Sequence, residues 1–388
     1  MLTGVNVALG VTGSIAAVKV VELAHELRRR GANVRAVMSP SAKGIINPWA
    51  VEFATDNPVV TEITGKVEHV ELCGREGWAD VFLIAPATAN TVGKIAGAID
   101  DTPVTTCATT ALGADVPVVI APAMHEPMYD HPGVLDAIDR VESWGVEFVD
   151  PRIEEGKAKI ATEDAIALDV ARATTPDLFD GKRVVITSGA TSEAIDPVRI
   201  ITSRASGKTG RAVARVCYVY GASVTLIHDG PTVPYATVEQ VETSAEMLDA
   251  VRQHIEGLPA DVLVSVAAIS DYTADDEDEK IRSGRELTLD LHPTPKLIDT
   301  IRDEHPDLPI VGFKAETSGD DDAMVAAARE TLERVDLSFV VANDASVMGK
   351  EETRTLFVRP NSVREYSGSK DVLGLTVAEE LAGELAGE

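Results

Sequence analysis

Residues 5–14 of this 388-residue chain read Val-Asn-Val-Ala-Leu-Gly-Val-Thr-Gly-Ser, and this stretch decides the fold. A short, mainly apolar run enters a turn that contains Gly10 and Gly13, and an Ala/Val/Leu-periodic stretch then continues to Arg30. Because the apolar spacing becomes helical only after the turn, the segment predicts a strand, a tight turn and a helix. Asn33–Met38 predicts the next strand, so the chain opens as a β–α–β unit.

The same alternation continues through both halves of the chain. Further strands are predicted at 80–85, 116–121, 146–149, 183–187, 223–228, 261–268, 309–313 and 337–342, with helices at 89–98, 133–144 and 210–220, a hairpin at 353–366 and a helix over the last eighteen residues. The stretch Pro176-Asp-Leu-Phe-Asp-Gly181 separates the two series. The pattern therefore predicts an α/β protein with two doubly wound, mostly parallel-sheet, Rossmann-like domains, over residues 1–178 and 179–388.

Charge and composition exclude several classes of function. The chain has 63 acidic and 35 basic residues, a formal net charge of −28, and 4% aromatic residues. Phosphate backbones and anionic membranes repel such a chain, and few aromatic rings are available to stack on bases. We therefore expect no nucleic-acid or membrane partner, and the acidic, lysine-poor composition favours a salt-rich cytoplasm.

The cysteine content and the apolar runs indicate a cytoplasmic protein. Cys73, Cys107 and Cys217 form no paired framework, as expected in a reducing compartment. The N-terminal residues follow a strand pattern rather than that of a signal peptide. No apolar run approaches the roughly 18 residues that a membrane span needs. Small-molecule substrates are the partners that remain.

The turn Gly10-Val-Thr-Gly-Ser14 is a candidate phosphate site. It lies where a strand meets a helix N-terminus, where backbone N–H groups and the hydroxyls of Thr12 and Ser14 suit an anion. A simple tight turn is the alternative, since the third glycine of the dinucleotide motif is absent. Met38-Ser39-Pro40 also stands where a nicotinamide enzyme has an acidic ribose ligand, so a mononucleotide is favoured over NAD.

Two further strand ends carry small and polar residues to the same edge of the sheet. They read Ala85-Pro-Ala-Thr-Ala-Asn90 and Pro122-Ala-Met-His-Glu-Pro-Met128. A third motif, His69-Val-Glu-Leu72, places an imidazole near the start of the strand that ends at Ala85. Doubly wound folds bind ligands at this edge. A lone histidine is more often structural than catalytic, so the motifs must be considered together.

Together with Gly13-Ser-Ile-Ala-Ala-Val-Lys19, these motifs occur in the order seen in flavin-dependent cysteine decarboxylases. The first half resembles the phosphopantothenoylcysteine decarboxylase member, a flavodoxin-like flavoprotein. The resemblance implies that His69 is the base and that Pro122–Met128 holds the substrate. It implies an FMN site formed by Gly10, Thr12, Gly13, Ser14, Ser39, Thr88, Ala89, Asn90 and Met124.

The decarboxylase resemblance leaves the final proton donor open. The usual cysteine of the flap should lie within Glu155–Ala161, where this chain has none. Lys157 and Lys159 lie in that segment, but a free lysine titrates near ~10.4 and needs burial or a cationic neighbour. His125 replaces a neutral amide of the relatives and could donate near pH 7. We favour His125, with the lysines, Cys73 and water as alternatives.

Motifs of the second half recur as another set. They are Ile186-Thr-Ser-Gly-Ala-Thr-Ser-Glu-Ala-Ile-Asp196-Pro-Val-Arg199, Ser206-Gly-Lys208-Thr-Gly210, Ala267-Ala-Ile-Ser-Asp271-Tyr, Val311-Gly-Phe313-Lys-Ala-Glu-Thr317 and Val341-Ala-Asn343-Asp344. This half is similar to phosphopantothenate–cysteine ligase. The resemblance covers essentially the whole chain and identifies it as a member of the bifunctional ligase–decarboxylase family of coenzyme A biosynthesis, in an archaeal-like form.

The resemblance implies a nucleotide-driven ligation. CTP, with Mg²⁺ through ligands that we cannot assign, would convert the carboxylate of 4′-phosphopantothenate to an acyl-nucleotide that cysteine attacks, and decarboxylation of the product would yield 4′-phosphopantetheine. The implied nucleotide site comprises Ala267, Ala268, Ile269, Asp271, Lys280, Thr294, Pro295, Lys296, Leu297, Phe313, Arg329 and Asn343. Arg199, Ser203, Lys208 and Lys280 are expected near the chemistry.

Departures from the family pattern limit this carry-over. Ser203 stands where bacterial relatives have Asn, and Arg329, together with Arg334, stands in for two helix lysines. The family also implies a homo-oligomer, with trimer contacts in the first half and dimer contacts in the second. Two alternatives remain, a non-catalytic flavin-binding regulatory protein and a two-domain nicotinamide oxidoreductase.

Overall fold

The computed structural model describes residues 1–154, 157–284, 286–316, 320–344 and 352–386. They form two compact units, Met1–Pro176 and Asp177–Glu388. The division lies within the Pro/Asp/Gly-rich stretch that separates the two series of strands in the sequence. In the described ranges, no helix is both long and apolar enough to cross a bilayer.

The first unit is built around a parallel sheet. Its strands are β1 (Asn6–Val11), β2 (Asn33–Met38), β3 (Val81–Ala87), β4 (Val118–Pro122), β5 (Met124–His125), β6 (Glu147–Phe148), β7 (Arg152–Glu154) and β8 (Lys157–Lys159). Its helices are α1 (Val20–Arg29), α2 (Pro48–Thr55), α3 (Glu68–Cys73), α4 (Ala89–Ala96), α5 (Pro103–Gly113), α6 (Glu126–Tyr129), α7 (Pro132–Glu142) and α8 (Glu163–Ala173). The parallel sheet has the order β2-β1-β3-β4-β6, and β5, β8 and β7 form a small antiparallel sheet.

The sequence of β3 explains why this sheet is covered on both faces. All seven residues of Val81–Ala87 are buried, which requires helices on either side of the strand. Phe82, Ile84 and Val104 lie in one core cluster, which joins the sheet to α5. This packing holds the carboxyl ends of β1 and β3 at one edge, close to the starts of α4 and α5.

The second unit contains a larger mixed sheet. Its strands are β9 (Arg183–Thr187), β10 (Ser192–Asp196), β11 (Arg199–Thr202), β12 (Ser223–His228), β13 (Thr237–Gln240), β14 (Val262–Ser265), β15 (Tyr272–Ala274), β16 (Leu291–Pro293), β17 (Ile310–Glu316), β18 (Phe339–Asp344), β19 (Glu352–Val358) and β20 (Val363–Ser369). Its helices are α9 (Lys208–Val219), α10 (Ser244–Glu256), α11 (Leu297–Glu304), α12 (Asp321–Val335) and α13 (Lys370–Ala386). The strand order is β13-β12-β9-β14-β17-β18-β19-β20, in which β19 and β20 are antiparallel to their neighbours.

The predicted fold class is confirmed, but the helices α5, α8 and α10, of 11 to 13 residues, were not named by the sequence prediction. The strands and helices that were named lie within a few residues of their predicted positions. The short pairs β10–β11 and β15–β16 and the sheet β5-β8-β7 were not predicted, because strands of two to five residues carry too little periodicity. His69 belongs to the six-residue helix α3, whereas the sequence placed it only near the start of a strand.

Two candidate ligand sites at the carboxyl edges of the sheets

The first unit has a cavity of about 490 Å³ at the carboxyl ends of β1, β2 and β3. It is lined by Thr12, Gly13, Ser39, Pro40, Ser41, Thr88, Asn90, Thr91, Lys94, Thr102, Thr105 and Met128. Five of these residues belong to the flavin site that the sequence predicted. Most of the lining side chains carry a hydroxyl group, an amide or an ammonium group, so the cavity suits a polar or anionic ligand.

Close contacts between two loops shape one wall of this cavity. The Thr12 hydroxyl donates to the Pro86 carbonyl at 2.7 Å, and the hydroxyl oxygens of Ser39 and Ser41 lie 3.1 Å apart. A Cβ atom added to Gly13 would lie 2.4 Å from the Ser41 hydroxyl. Glycine is therefore needed at position 13 because the two loops touch, whatever the ligand.

Two helices begin at the opposite wall. The Thr88 hydroxyl caps α4. In α5, the Thr102 hydroxyl accepts from the Thr105 N–H at 3.2 Å and the Thr105 hydroxyl accepts from the Thr102 N–H at 3.0 Å. Lys94 pairs with Asp101 at 2.7 Å beside them. Two positive helix ends that converge on one cavity favour an anionic group such as a phosphate.

Sequence reasoning missed half of this lining. The unpredicted residues are Pro40, Ser41, Thr91, Lys94, Thr102 and Thr105, whereas Met128 belongs to the segment predicted to hold the substrate. One signal for them was present, because a threonine followed by proline and a second threonine before an apolar run is a capping-box pattern. Thr102 and Thr105 could therefore have been identified from the sequence as the start of a helix at the ligand edge.

Other residues of the predicted flavin site lie outside the lining of this cavity. Gly10 is within β1, where an added Cβ would lie 2.9 Å from the Phe82 ring, so it is required for packing. The Ser14 hydroxyl donates to the Ala123 carbonyl at 3.1 Å. Ala89 is the first residue of α4 and Met124 begins β5. Their predicted role toward a flavin remains a hypothesis.

Helix α3 carries the predicted base and one of the candidate proton donors. The Nδ1 atom of His69 is buried and has no hydrogen-bond partner among the described residues. Cys73, the last residue of α3, is fully buried beside Cys107. The hydrogen bond to Cys107, together with burial, raises the pKa of the Cys73 thiol far above its usual range. Burial and the raised pKa argue against Cys73 as the proton donor, and the choice among the alternatives stays a prediction.

The flap lies against the strand that carries His125. In the antiparallel pair of β5 and β8, His125 is opposite Lys157 and Met124 is opposite Ala158. Lys159 lies two residues further along β8. The structure therefore brings His125 and the flap lysines, the two leading candidates for the proton donor, to adjacent strands.

The second unit has a cavity of about 440 Å³ where β14, β17 and β18 end beside α11 and α12. It is lined by Ser265, Val266, Ala267, Ala268, Ile269, Ser270, Asp271, Thr294, Pro295, Lys296, Leu297, Ile298, Asp299, Gly312, Phe313, Lys314, Ala315, Thr331, Arg334, Val340 and Asn343. Every residue of the predicted nucleotide site except Lys280 and Arg329 is in this lining. Residues that are far apart in the sequence thus meet in one cavity.

Internal contacts hold the wall formed by the loop before α11. The Thr294 N–H donates to the Asp271 carbonyl at 3.0 Å, and the Thr294 hydroxyl donates to the Ser270 carbonyl at 2.5 Å. Lys296 pairs with the Asp271 carboxylate at 2.5 Å. The buried Oδ1 of Asn343 has no partner within the described residues.

Four predicted residues lie elsewhere. Lys280 and Arg329 are exposed, and neither they nor Arg199 and Ser203 line the described cavity. Arg199 forms an ion pair with the Asp196 carboxylate. It also donates a hydrogen bond at 3.1 Å to the backbone carbonyl of Ile281, the residue after Lys280. The Ser203 hydroxyl accepts from a backbone N–H at 3.3 Å. Arg199 therefore anchors the segment that contains Lys280, and the assignment of Lys280 and Arg329 to this cavity was not reproduced.

Comparisons with known proteins agree with the two units. The Flavoprotein family model matches residues 1–174, and the model of the DNA/pantothenate metabolism flavoprotein C-terminal domain matches residues 179–385. The coenzyme A biosynthesis bifunctional protein CoaBC of Thermococcus kodakarensis is 50% identical over 361 residues, which are 92% of this chain and 89% of that protein. That of Methanocaldococcus jannaschii is 34% identical over 387 residues, 98% of this chain and 94% of that protein.

Solved structures are similar to parts of the chain. One is the C-terminal domain of a coenzyme A biosynthesis bifunctional protein CoaBC, which is 28% identical to this chain with a TM-score of 0.46. The matched region is 55% of this chain and 100% of that structure's chain. The FMN-binding protein AtHal3 is 30% identical and covers 42% of this chain and 94% of that chain, with a TM-score of 0.37. The two family models and the full-length relatives confirm the resemblance found in the motifs: the chain belongs to the family of coenzyme A biosynthesis bifunctional proteins.

Proposed function

We propose that the second unit joins 4′-phosphopantothenate to cysteine at the expense of CTP, and that the first unit decarboxylates the product to 4′-phosphopantetheine with FMN. The observation that carries the proposal is that ten of the twelve residues of the predicted nucleotide site, and five of the nine residues of the predicted flavin site, line one cavity at the carboxyl edge of their own sheet. A nicotinamide enzyme would instead need an acidic ribose ligand after β2, where Ser39 lies.

In the second unit, the cavity suits the nucleotide. Pro295 and Phe313 provide apolar walls, and the unsatisfied Asn343 oxygen can accept a hydrogen bond from the ligand. Lys296 lies at the mouth, paired with Asp271. The carboxylate of phosphopantothenate must be activated because an amine does not displace a carboxylate oxygen directly. We assign this activation to CTP with Mg²⁺.

In the first unit, the lining fits a flavin mononucleotide. Hydroxyl groups and the starts of α4 and α5 would hold its phosphate, and Thr12, Ser39 and Asn90 would contact the remainder. When bound, the flavin accepts electrons from the substrate thiol and so provides the electron sink that loss of CO₂ requires. His69 would remove a proton through its half-buried imidazole, and His125 or a flap lysine would later return one to carbon.

Two activities of the purified protein test the proposal. Phosphopantothenate, cysteine, CTP and Mg²⁺ should release pyrophosphate, and the product should then release CO₂. The protein should be yellow and should release FMN on denaturation. Ligation without CO₂ release from flavin-loaded protein would support a non-catalytic flavin-binding role for the first unit instead. A rate with ATP equal to that with CTP would contradict the nucleotide assignment.

Replacement of Thr102 by Val is expected to weaken flavin binding about 5- to 10-fold. The change removes a hydroxyl from the cavity and the cap of α5, which together are worth on the order of 1 kcal/mol or slightly more. Equilibrium titration of the apoprotein with FMN measures the effect.

Thr243→Val is the matched control. Thr243 forms the same kind of capping box with Glu246, at the start of α10 in the second unit. Both variants should lose similar unfolding free energy, whereas only Thr102→Val should lose affinity for FMN. Equal affinity in the two variants would remove the α5 start from the flavin site.

The proposed assembly is a homo-oligomer in the cytoplasm. The first unit leaves two aromatic side chains of α2 largely exposed, with Trp49 at 80% and Phe53 at 77%. Large apolar side chains at this exposure are typical of a surface that contacts another protein. They support the expected self-association through the first unit, and the solution mass of the full chain tests it.

A further inference from the structure

We propose that Lys314 binds the nucleotide, and that its ammonium group contacts acceptor atoms of the nucleoside end rather than the terminal phosphates. The inference rests on the proposed ligase function of the second unit. Neither the motifs nor the family resemblance singled out this lysine.

The structure places Lys314 in the wall of the cavity. It lies in β17, and its Nζ donates to the Ala327 carbonyl at 3.0 Å and to the Thr331 hydroxyl at 3.2 Å. Both partners belong to α12, and Thr331 is itself in the lining. The long side chain therefore spans from the sheet to the helix, and its charge is held at a defined position beside the cavity.

The cations that line the cavity match those that the sequence predicted only at Lys296. Lys280 and Arg329 are absent from the lining, and its cationic residues are Lys296, Lys314 and Arg334. Lys296 pairs with Asp271 and Arg334 pairs with Asp299, both near the surface. Lys314 comes from a central strand and reaches the partly buried region between the sheet and α12. It is the cation best placed to meet the enclosed part of a ligand.

The strand order indicates which part of the nucleotide it meets. Helix α9 begins at Lys208. Its N-cap residue is Gly207, which has a φ of 68° and offers no side chain to cap the helix. This start is suited to phosphates. β17 lies two strands away from β9, across β14, a distance of roughly 10 Å at the usual strand spacing. A nucleotide with its phosphates near α9 would therefore place its ribose and base near Lys314.

Lys314→Met tests the inference through the dissociation constants of CTP and CMP for the full-length protein, measured by calorimetry. Loss of a charge-assisted hydrogen bond should weaken both ligands about 10- to 100-fold, and by the same factor. Lys182→Met is the control, because Lys182 pairs with Asp261 at the amino end of β9 and should leave both constants unchanged.

Thr331→Val provides a second variant. It removes one contact that positions the ammonium group, and it should weaken CTP and CMP binding equally by roughly 3-fold. This variant decides the question if Lys314→Met does not fold, as judged by circular dichroism.

Two results would overturn the inference. One is unchanged binding in the folded variant, and the other is weaker binding of CTP with unchanged binding of CMP, which would place Lys314 at the phosphates. If the proposed ligase function itself were wrong, the unmodified protein would bind neither CTP nor CMP. That result is distinct from a binding change confined to the variants.

Discussion

Replacement of His69 by Gln is expected to slow decarboxylation about 10²- to 10⁴-fold and to leave amide formation by the second unit unchanged. Gln keeps a polar side chain on α3 but cannot take up a proton near neutrality. The Nδ1 of His69 is buried without a hydrogen-bond partner among the described residues. CO₂ release and pyrophosphate release, measured on the same preparation, separate the two activities.

His131→Gln is the control for this prediction. His131 belongs to the same unit, where its Nδ1 accepts from the Gly133 N–H at 3.1 Å and caps α7. It is exposed and does not line the described cavity. Both variants should bind FMN as the unmodified protein does. If His69→Gln released CO₂ at the normal rate, His69 would not be the base.

His125→Asn is expected to stop the reaction at its last step. The variant should still release CO₂ once per site, but the enethiol product should accumulate and the yellow colour should not return. The reason is that an amide cannot donate the proton that carbon requires, whereas an imidazole can do so near pH 7. Single-turnover absorbance, together with mass analysis of the product, measures this block.

The pairing of β5 with β8 supplies the decisive comparison. Because His125 lies opposite Lys157, a variant with Lys157→Gln and Lys159→Gln alters the facing strand without changing the histidine. This variant should complete its turnovers and return to oxidised flavin. If it stalls with reduced flavin while His125→Asn turns over normally, the donor belongs to the flap.

Local sequence patterns determined the fold class and part of the lining of each cavity. The buried strands β3 and β9 are short apolar runs that end in small or polar residues, and such patterns depend on neighbours in the chain. The turn at Thr12 and the strand end at Ala267 could be placed at a ligand edge for the same reason. In doubly wound sheets the carboxyl ends of the strands determine where the ligand lies.

Tertiary structure decided which charged side chains belong to each site. Lys280 and Arg329, which the family resemblance assigned to the nucleotide site, are exposed, whereas Lys314 and Arg334 line the cavity because β17 and α12 pack together. The proximity of His125 to the flap likewise depends on strands of two and three residues. Contacts between distant segments leave no periodic pattern in the sequence, so the positions of these groups became visible only in the folded chain.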